Sequence, residues 1–162
     1  MSWGRVGRST QTSAVIVPGV TGAYAALDAV GSAFAIPLAV GMEGSLIAEA
    51  RIYDRATGAS ALRMHLFVSP PTVIADNVAF TIPSGQENNH LGWIDFAKAD
   101  WTTAGISGGN TAIMNRAITQ NLALYAPTAT AREIYAQFQT MEAVTFGGLN
   151  SAQIVKLGLL QD

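Results

Sequence analysis

The sequence predicts an all-β fold, a single-domain, jelly-roll-like β-sandwich of about eight or nine short strands. Three observations predict it: apolar and polar residues alternate in several segments, helical periodicity is scarce, and Gly or Pro turn signals separate the segments. Successive side chains of a strand point to opposite faces of its sheet, so alternation of this kind buries one face and exposes the other.

The clearest alternation lies in SLIAEARIYDRATGASALRMHLFVSPP, from Ser45 to Pro71. Two strands are expected there, with inward-facing sets Leu46, Ala48, Ala50 and Ile52 in the first and Leu62, Met64, Leu66 and Val68 in the second. Pro70 and Pro71 end the second strand, because proline cannot donate to a ladder. The connecting loop is longer than a two-residue turn, so the two strands form either a hairpin-like pair or a crossing between sheets.

The other strand candidates are short. In chain order they are Ser13 to Val17, Ala25 to Val30, Ala33 to Val40, Val78 to Ile82, Trp93 to Phe96, Ala112 to Ile118, Leu122 to Tyr125, Glu133 to Val144 and Gln153 to Leu160. The segment Asp95 to Trp101 fits either a helical turn or a strand end. Since no linker or fixed-period repeat interrupts these segments, we expect one domain over residues 13–162.

Residues 1–12, MSWGRVGRSTQT, are predicted to form a flexible N-terminal arm. The arm carries Arg5 and Arg8 and no acid, and its Trp3 has no local core to enter. One interpretation is a solvated terminus. The other is an arm that orders on a partner subunit, because Trp and Arg are favoured at interaction hot spots. On the second interpretation Trp3, Arg5 and Arg8 are the partner-binding residues.

Composition excludes several classes of protein. The chain of 162 residues is 49% hydrophobic and 12% charged, a composition too apolar for a disordered chain. Its longest weakly polar stretch, Ala29 to Met42, is too short to span a bilayer and is interrupted by Gly31, Pro37 and Gly41. A net charge of −2 provides no general attraction for nucleic acid. The low charge suits either an ordinary sandwich or a subunit that packs against neighbours.

Cysteine usage and the N-terminal residues predict the place of synthesis. The chain has no cysteine, so it forms no disulfide and no thiolate metal site. No apolar run follows the basic N-terminal residues in the manner of a signal peptide. We therefore expect synthesis in the cytoplasm.

The two histidines are the first candidates for chemistry. His65 lies inside a predicted strand and His90 lies in the loop sequence ENNH. A metal site would need a second imidazole or a carboxylate converging on either of them. Glu87 has a suitable loop spacing to His90, but Asn88 and Asn89 are typical of turns. Hydrogen-bonded or exposed histidines are the favoured interpretation, with no metal and no cofactor.

Other catalytic patterns are missing from the sequence. No G-x-S-x-G nucleophile elbow occurs, and SGGN at residues 107–110 has neither the lysine nor the following helix of a phosphate loop. The carboxylate pairs Glu43 with Glu49 and Asp95 with Asp100 have no supporting pattern. We therefore predict that the protein is not an enzyme. Five aromatic residues are either core or a ligand platform, namely Trp93, Trp101, Tyr125, Tyr135 and Phe138.

Several segments, taken in order, resemble a family of small bacteriophage virion proteins. They are YAALDAVG (Tyr24 to Gly31), IYDRATGASALRMHLFVSPP (Ile52 to Pro71), ADNVAF (Ala75 to Phe80), LALYAPTATA (Leu122 to Ala131) and VKLGLLQD (Val155 to Asp162). One departure is Leu27, where the family pattern leads us to expect a glycine before the aspartate. The ordered set carries the resemblance, since each segment alone is only a strand with its turn.

The resemblance implies a non-enzymatic decoration, or cement, protein of the phage head. Such a protein is a β-sandwich, commonly a homotrimer, that binds the major capsid protein and stabilises the shell. It would be located on the virion and assembled in the cytoplasm of the bacterial host. One alternative is a tail or fibre adhesin that binds host glycans through Trp93, Trp101 and the ENNH loop. Another is a small hydrolase whose site the sequence does not reveal.

Overall fold

The computed structural model describes residues 8–11, 15–16, 22–38, 46–54, 59–72, 74–105, 111–123, 133–146 and 154–161. They form twelve strands and two short 3-10 helices, which confirms the all-β prediction. The strands are β1 (Arg8–Gln11), β2 (Val15–Ile16), β3 (Gly22–Tyr24), β4 (Ala29–Pro37), β5 (Leu46–Asp54), β6 (Leu62–Phe67), β7 (His90–Phe96), β8 (Thr102–Gly105), β9 (Thr111–Ala123), β10 (Glu133–Thr140), β11 (Val144–Phe146) and β12 (Ile154–Gln161). The 3-10 helices, Glu87–Asn89 and Lys98–Asp100, flank β7. Several strands, such as β2 and β3, have only two or three residues, so the count exceeds the predicted eight or nine.

The strands belong to three sheets. The largest has the order β1-β12-β5-β9-β8, and β2 also pairs with β12. The second has the order β4-β10-β6-β7, and β11 pairs with β3 in a small third sheet. All of these pairings are antiparallel. Both large sheets combine strands that lie far apart in the sequence.

One hydrophobic core joins the two large sheets. The larger sheet contributes Ile47, Ala50, Ile52, Val155 and Leu157, and the smaller sheet contributes Val30, Phe34, Ile36, Leu62, Met64, Leu66, Ile94, Phe96, Ile134, Ala136 and Phe138. Near the middle, the ring of Phe138 lies 6.0 Å from that of Phe34 and 6.2 Å from that of Phe96. Side chains from the inner faces of two sheets therefore meet in one layer, which is the arrangement of a sandwich.

The stretch from Ser45 to Pro71 supplies one strand to each sheet. β5 lies between β12 and β9 in the larger sheet, whereas β6 lies between β10 and β7 in the smaller one. The crossing between sheets is therefore correct and the hairpin-like pair is wrong. The inward residues Leu62, Met64 and Leu66 of β6 are fully buried, as the alternation predicts.

The alternation in β5 predicts the wrong inward residue near its start. Ile47 is fully buried in the core, whereas Ala48, expected to face inward, is only partly buried. The pairing of β5 with β9 shifts register between Ile47 and Glu49. Such a β-bulge reverses which face the following residues occupy, so simple alternation holds only from Ala50 onward.

Parts of the two segments predicted around Gly31 belong to the single strand β4, Ala29–Pro37, whereas residues 25–28 of the first segment form a turn. Gly31 has a φ of 66°, a left-handed conformation that glycine adopts without strain. The pairing of β10 with β4 shifts at this point, because Ala136 lies opposite Phe34 and Phe138 opposite Val30. Gly31 therefore allows a bulge inside a continuous strand instead of ending the strand.

Leu27 occupies a turn whose backbone conformation suits glycine. Its φ is 71°, in the left-handed region where a side chain normally costs about 1–2 kcal/mol. Hydrogen bonds hold the turn nonetheless: Leu27 N–H donates to the Thr140 carbonyl at 2.9 Å, and Ala25 N–H donates to Asp28 Oδ2 at 2.8 Å. In the second bond the Asp28 side chain accepts from a backbone amide three residues earlier, an interaction typical of turns.

Other predictions meet mixed outcomes. The segments predicted at Ala112 to Ile118 and Leu122 to Tyr125 are joined in β9, although residues 124–125 lie outside the described part. Residues 78–82 form no strand and make only one isolated bridge, between Ala79 and Asp28. The segment after β7 is a strand end followed by a 3-10 helical turn. The SGGN sequence at 107–110 lies outside the described residues.

Candidate functional site

A covering segment, residues 74–82, packs on the outer face of the smaller sheet. Its Ile74 and Phe80 form a second apolar cluster with Ala29 and Phe67, against which Ile82 packs. β6 is consequently buried on both faces, since His65 and Phe67 lie under this cover while the alternate residues face the main core. The sequence predicts only one buried face for β6. It does not predict that the covering segment buries the other face.

Hydrogen bonds to Gly31 hold the covering segment in place. Gly31 N–H donates to Asp76 Oδ1 at 2.6 Å, and Gln137 Nε2 donates to the Gly31 carbonyl at 3.1 Å. Asp76 Oδ1 also accepts a bond from the Tyr24 hydroxyl at 2.9 Å, and Gln137 Nε2 also donates to the Ile74 carbonyl at 2.9 Å. The bulge in β4 thus directs backbone groups of Gly31 toward the cover instead of the sheet ladder.

The two histidines meet beneath this cover. His65 Nδ1 lies 3.1 Å from His90 Nε2, and His65 Nε2 lies 3.2 Å from Gln139 Oε1. The Gln139 amide is oriented by its Nε2, which donates to the Leu27 carbonyl at 3.3 Å. Gln139 Oε1 therefore requires a donor, which assigns the proton of neutral His65 to Nε2. His65 Nδ1 then accepts a hydrogen bond from His90 Nε2.

Both imidazoles are biased toward the neutral form. Burial lowers the pKa of His65 to about 4, although the hydrogen bond to Gln139 opposes the shift. The nearby His90 and Arg63 lower it further and Asp95 raises it. Burial also lowers the pKa of His90, against a backbone hydrogen bond to Gly92 that raises it. Because both nitrogens of His65 bond within the protein, this ring has a structural role.

The exposed part of this site is centred on Trp93, which is 52% exposed. Arg63 places its guanidinium 4.8 Å from the centre of the Trp93 ring. Arg63 in turn donates from Nε to Asp95 Oδ1 at 2.6 Å and from Nη2 to Asp95 Oδ2 at 3.0 Å. The His90 ring lies nearly parallel to Trp93 with 6.1 Å between centres. We call Arg63, His90, Trp93 and Asp95 the Trp93 surface.

Sheet register creates the Trp93 surface. His65 lies opposite Trp93 and Arg63 opposite Asp95 in the β6–β7 pairing, which shifts register between Leu66 and Phe67. A bidentate Arg–carboxylate pair and a stacked ring restrain the exposed Trp93 side chain. A half-exposed, restrained aromatic beside an arginine is a typical interaction hot spot.

Of the predicted partner-binding residues, the structure describes only the backbone of Arg8. Trp3 and Arg5 lie outside the described residues, and Arg8 begins β1, which pairs with β12. The described end of the predicted arm, Arg8–Gln11, is therefore an edge strand of the larger sheet. No contact in the described residues tests the predicted roles of these three side chains.

The aromatic residues are divided between core and surface. Trp101 packs against the main core, and its Nε1 donates to the Ser60 carbonyl at 2.8 Å, so it does not join Trp93 in a platform. Phe138 is core and Tyr125 lies outside the described residues. Tyr135 packs against the covering cluster and donates to Glu133 Oε2 at 3.1 Å.

The loop residue Asn89 and the carboxylates of Glu49 and Asp95 have structural partners. Residues 87–89 form a 3-10 helix, and Asn89 Oδ1 accepts from Ser69 N–H at 2.8 Å, as the turn interpretation predicts. Glu49 pairs with Arg51, while Glu43 lies outside the described residues. In the described part of the chain, no three His, Cys, Asp or Glu side chains converge as a metal ion would require. The same part contains no helix with the length and hydropathy of a membrane span.

The contact between His65 and His90 is the main feature that sequence reasoning misses. The two residues are 25 positions apart, and only the register of β6 with β7 brings them together. No protein-family model, curated protein or solved structure matches this chain.

Proposed function

We propose that this protein is a non-enzymatic decoration protein of a bacteriophage head that binds the major capsid protein and stabilises the shell. The Trp93 surface is the single observation that supports it most directly. A restrained, half-exposed Trp flanked by an Arg–Asp pair provides a contact for a partner protein. The segments that resemble phage virion proteins supply the identity of that partner.

The strand order supports the same proposal at the level of fold. With β8, which extends the larger sheet beside β9, and the short β2, β3 and β11 set aside, the strands β1, β4, β5, β6, β7, β9, β10 and β12 can be counted from one to eight in chain order. One sheet then has the order 1-8-3-6 and the other 2-7-4-5. We infer a jelly roll, the double Greek-key sandwich that occurs in viral capsid and lectin domains.

A decoration protein acts through free energy of association. If it binds the mature shell more tightly than the earlier one, it stabilises the mature state by mass action. A homotrimer that touches several capsid subunits gains effective concentration from each attachment, so weak individual contacts suffice. The low charge of the chain suits such packing, because burying an unpaired charge is costly.

The copy number of the protein in the virion tests this proposal. We expect hundreds of copies on each head, as quantitative mass spectrometry and cryo-electron microscopy of purified particles would measure. The second candidate, a tail adhesin that stacks host sugars on Trp93, requires only a few copies at the tail. A few copies at the tail, or none in the particle, would contradict decoration.

Replacing Trp93 with alanine is expected to weaken binding to undecorated heads by about thirtyfold, the loss typical of a hot-spot residue. Trp93→Phe retains an aromatic ring and is expected to restore most of the affinity. Both variants would be titrated against heads in a sedimentation assay, with urea unfolding to verify their folding. If Trp93→Ala coats heads as well as the unaltered chain does, the Trp93 surface is not the contact.

A further inference from the structure

The larger sheet carries three basic residues in register across three neighbouring strands. Lys156 of β12 lies opposite Arg51 of β5, and Arg51 lies opposite Arg116 of β9. The whole chain has only nine Lys and Arg residues, so this row concentrates a third of its positive charge. We call these three residues the basic row.

Arg51 and Lys156 lie on the side of the sheet away from the core. Arg51 stands between the fully buried core residues Ala50 and Ile52, and Lys156 stands between Val155 and Leu157. Alternation along the strands therefore directs Arg51 and Lys156 outward. The Trp93 surface belongs to the outer face of the other sheet, so the two surfaces occupy opposite sides of the sandwich.

A row of like charges is unfavourable for folding, because directly opposed residues lie about 5 Å apart and repel each other. Within the described residues Arg51 pairs with one acid, its Nη2 lying 2.5 Å from Glu49 Oε1. The Nε atom of Arg51 is shielded and makes no hydrogen bond among those residues. Arg51 thus retains a donor without a hydrogen-bond partner among the described residues, and Lys156 and Arg116 occupy the register positions on either side of it.

The glycine opposite Glu49 shows how the row is built. A Cβ atom added at Gly158 would lie 2.6 Å from Glu49 Cγ, a separation that real side chains do not tolerate. Gly158 therefore leaves room for the Glu49 side chain over β12, where it holds Arg51. The Arg51 guanidinium is preorganised for a further acceptor by this contact.

We propose that the basic row binds carboxylate groups of an acidic segment on a partner protein. A guanidinium matches a carboxylate through paired N–H donors, and a neighbouring lysine adds a mobile charge. The net charge of −2 disfavours nucleic acid, which is bound through long basic surfaces. Only the identity of the partner as a capsid subunit rests on the proposed function; the preference for carboxylates rests on the row.

A fluorescently labelled hexaglutamate peptide tests this proposal on the full-length protein. Fluorescence anisotropy at low ionic strength should show binding that weakens with added salt. Lys156→Gln should weaken binding about threefold, and Lys156→Gln with Arg116→Gln about tenfold, as expected for exposed ion pairs. The matched control Lys98→Gln removes an equal charge from a residue that pairs with Glu142 outside the row, and it should leave binding unchanged.

Absence of peptide binding, or equal losses in the control and row variants, would overturn the proposal. Tighter binding of a labelled oligothymidylate than of the peptide would overturn it as well, in favour of nucleic acid.

Lys156→Gln also relieves repulsion within the row, so its free energy of unfolding should equal or exceed that of the unaltered chain. The assay needs no phage heads, so this proposal and head decoration can fail independently.

Discussion

Asp76→Ala is expected to lower the free energy of unfolding by about 3 kcal/mol, because it removes two hydrogen bonds to a carboxylate. Both donors lie at buried positions: Gly31 is buried and Tyr24 is 3% exposed. The loss also frees the covering segment at one of its attachments to β4. Urea unfolding followed by circular dichroism measures the change.

Asp76→Asn is the matched control, because it keeps an oxygen acceptor at the same position. We expect it to cost about 1 kcal/mol, since the acceptor loses its charge but not its geometry. Amide exchange at Gly31 should be faster in Asp76→Ala than in Asp76→Asn. Equal costs for the two variants, or a cost below 1 kcal/mol for alanine, would show that Asp76 does not hold the cover.

The second large effect is a loss of stability in acid that depends on His65. Its pKa is 6.5 in an ordinary environment and about 4 in the folded protein, so the unfolded chain binds this proton first as the pH falls. The stabilisation is complete above pH 6.5 and is lost progressively toward pH 4. The difference between the two pKa values corresponds to at most about 3 kcal/mol in the free energy of unfolding.

The geometry explains why protonation of His65 is unfavourable in the folded protein. Protonated His65 would direct an N–H at His90 Nε2, which itself donates in the neutral pair. His90 would have to change its tautomer, and Arg63 and the shielded site would oppose the new charge. Acid should therefore loosen the packing of His65 against Phe80, whose ring centres are 4.0 Å apart.

Proton NMR of the two histidines measures this prediction directly, with His90→Gln to assign the signals. We expect the His65 resonance to titrate near pH 4. Between pH 7 and pH 4, the free energy of unfolding measured with urea should fall by about 3 kcal/mol less for His65→Gln than for the unaltered chain. A His65 signal that titrates at 6.5 or above would contradict the account.

The sequence predicts much of the fold because the alternation of apolar residues is a local signal. The inward residues of β6, such as Met64 and Leu66, follow directly from it. It fails where a bulge changes the register, as at Ile47. It also fails on the outer face of β6, because nothing local indicates that residues 74–82 cover His65 and Phe67.

The candidate site is less predictable than the fold for the same reason. Trp93 and the two histidines are visible as candidates in the sequence. Their grouping depends on which strands are neighbours, and β6 could have paired with β5 on local grounds alone. The basic row is similarly invisible in the chain, where Arg51, Arg116 and Lys156 are widely separated.

By itself, the amino-acid sequence determined that this protein is built of strands, that it has little charge, and which residues of β6 face the main core. The tertiary structure decided that β5 and β6 belong to different sheets, that His65 meets His90, and that three cations align across β12, β5 and β9. The physical reason is the range of the forces: side-chain alternation acts within a strand, whereas strand pairing and burial join residues that are distant along the chain.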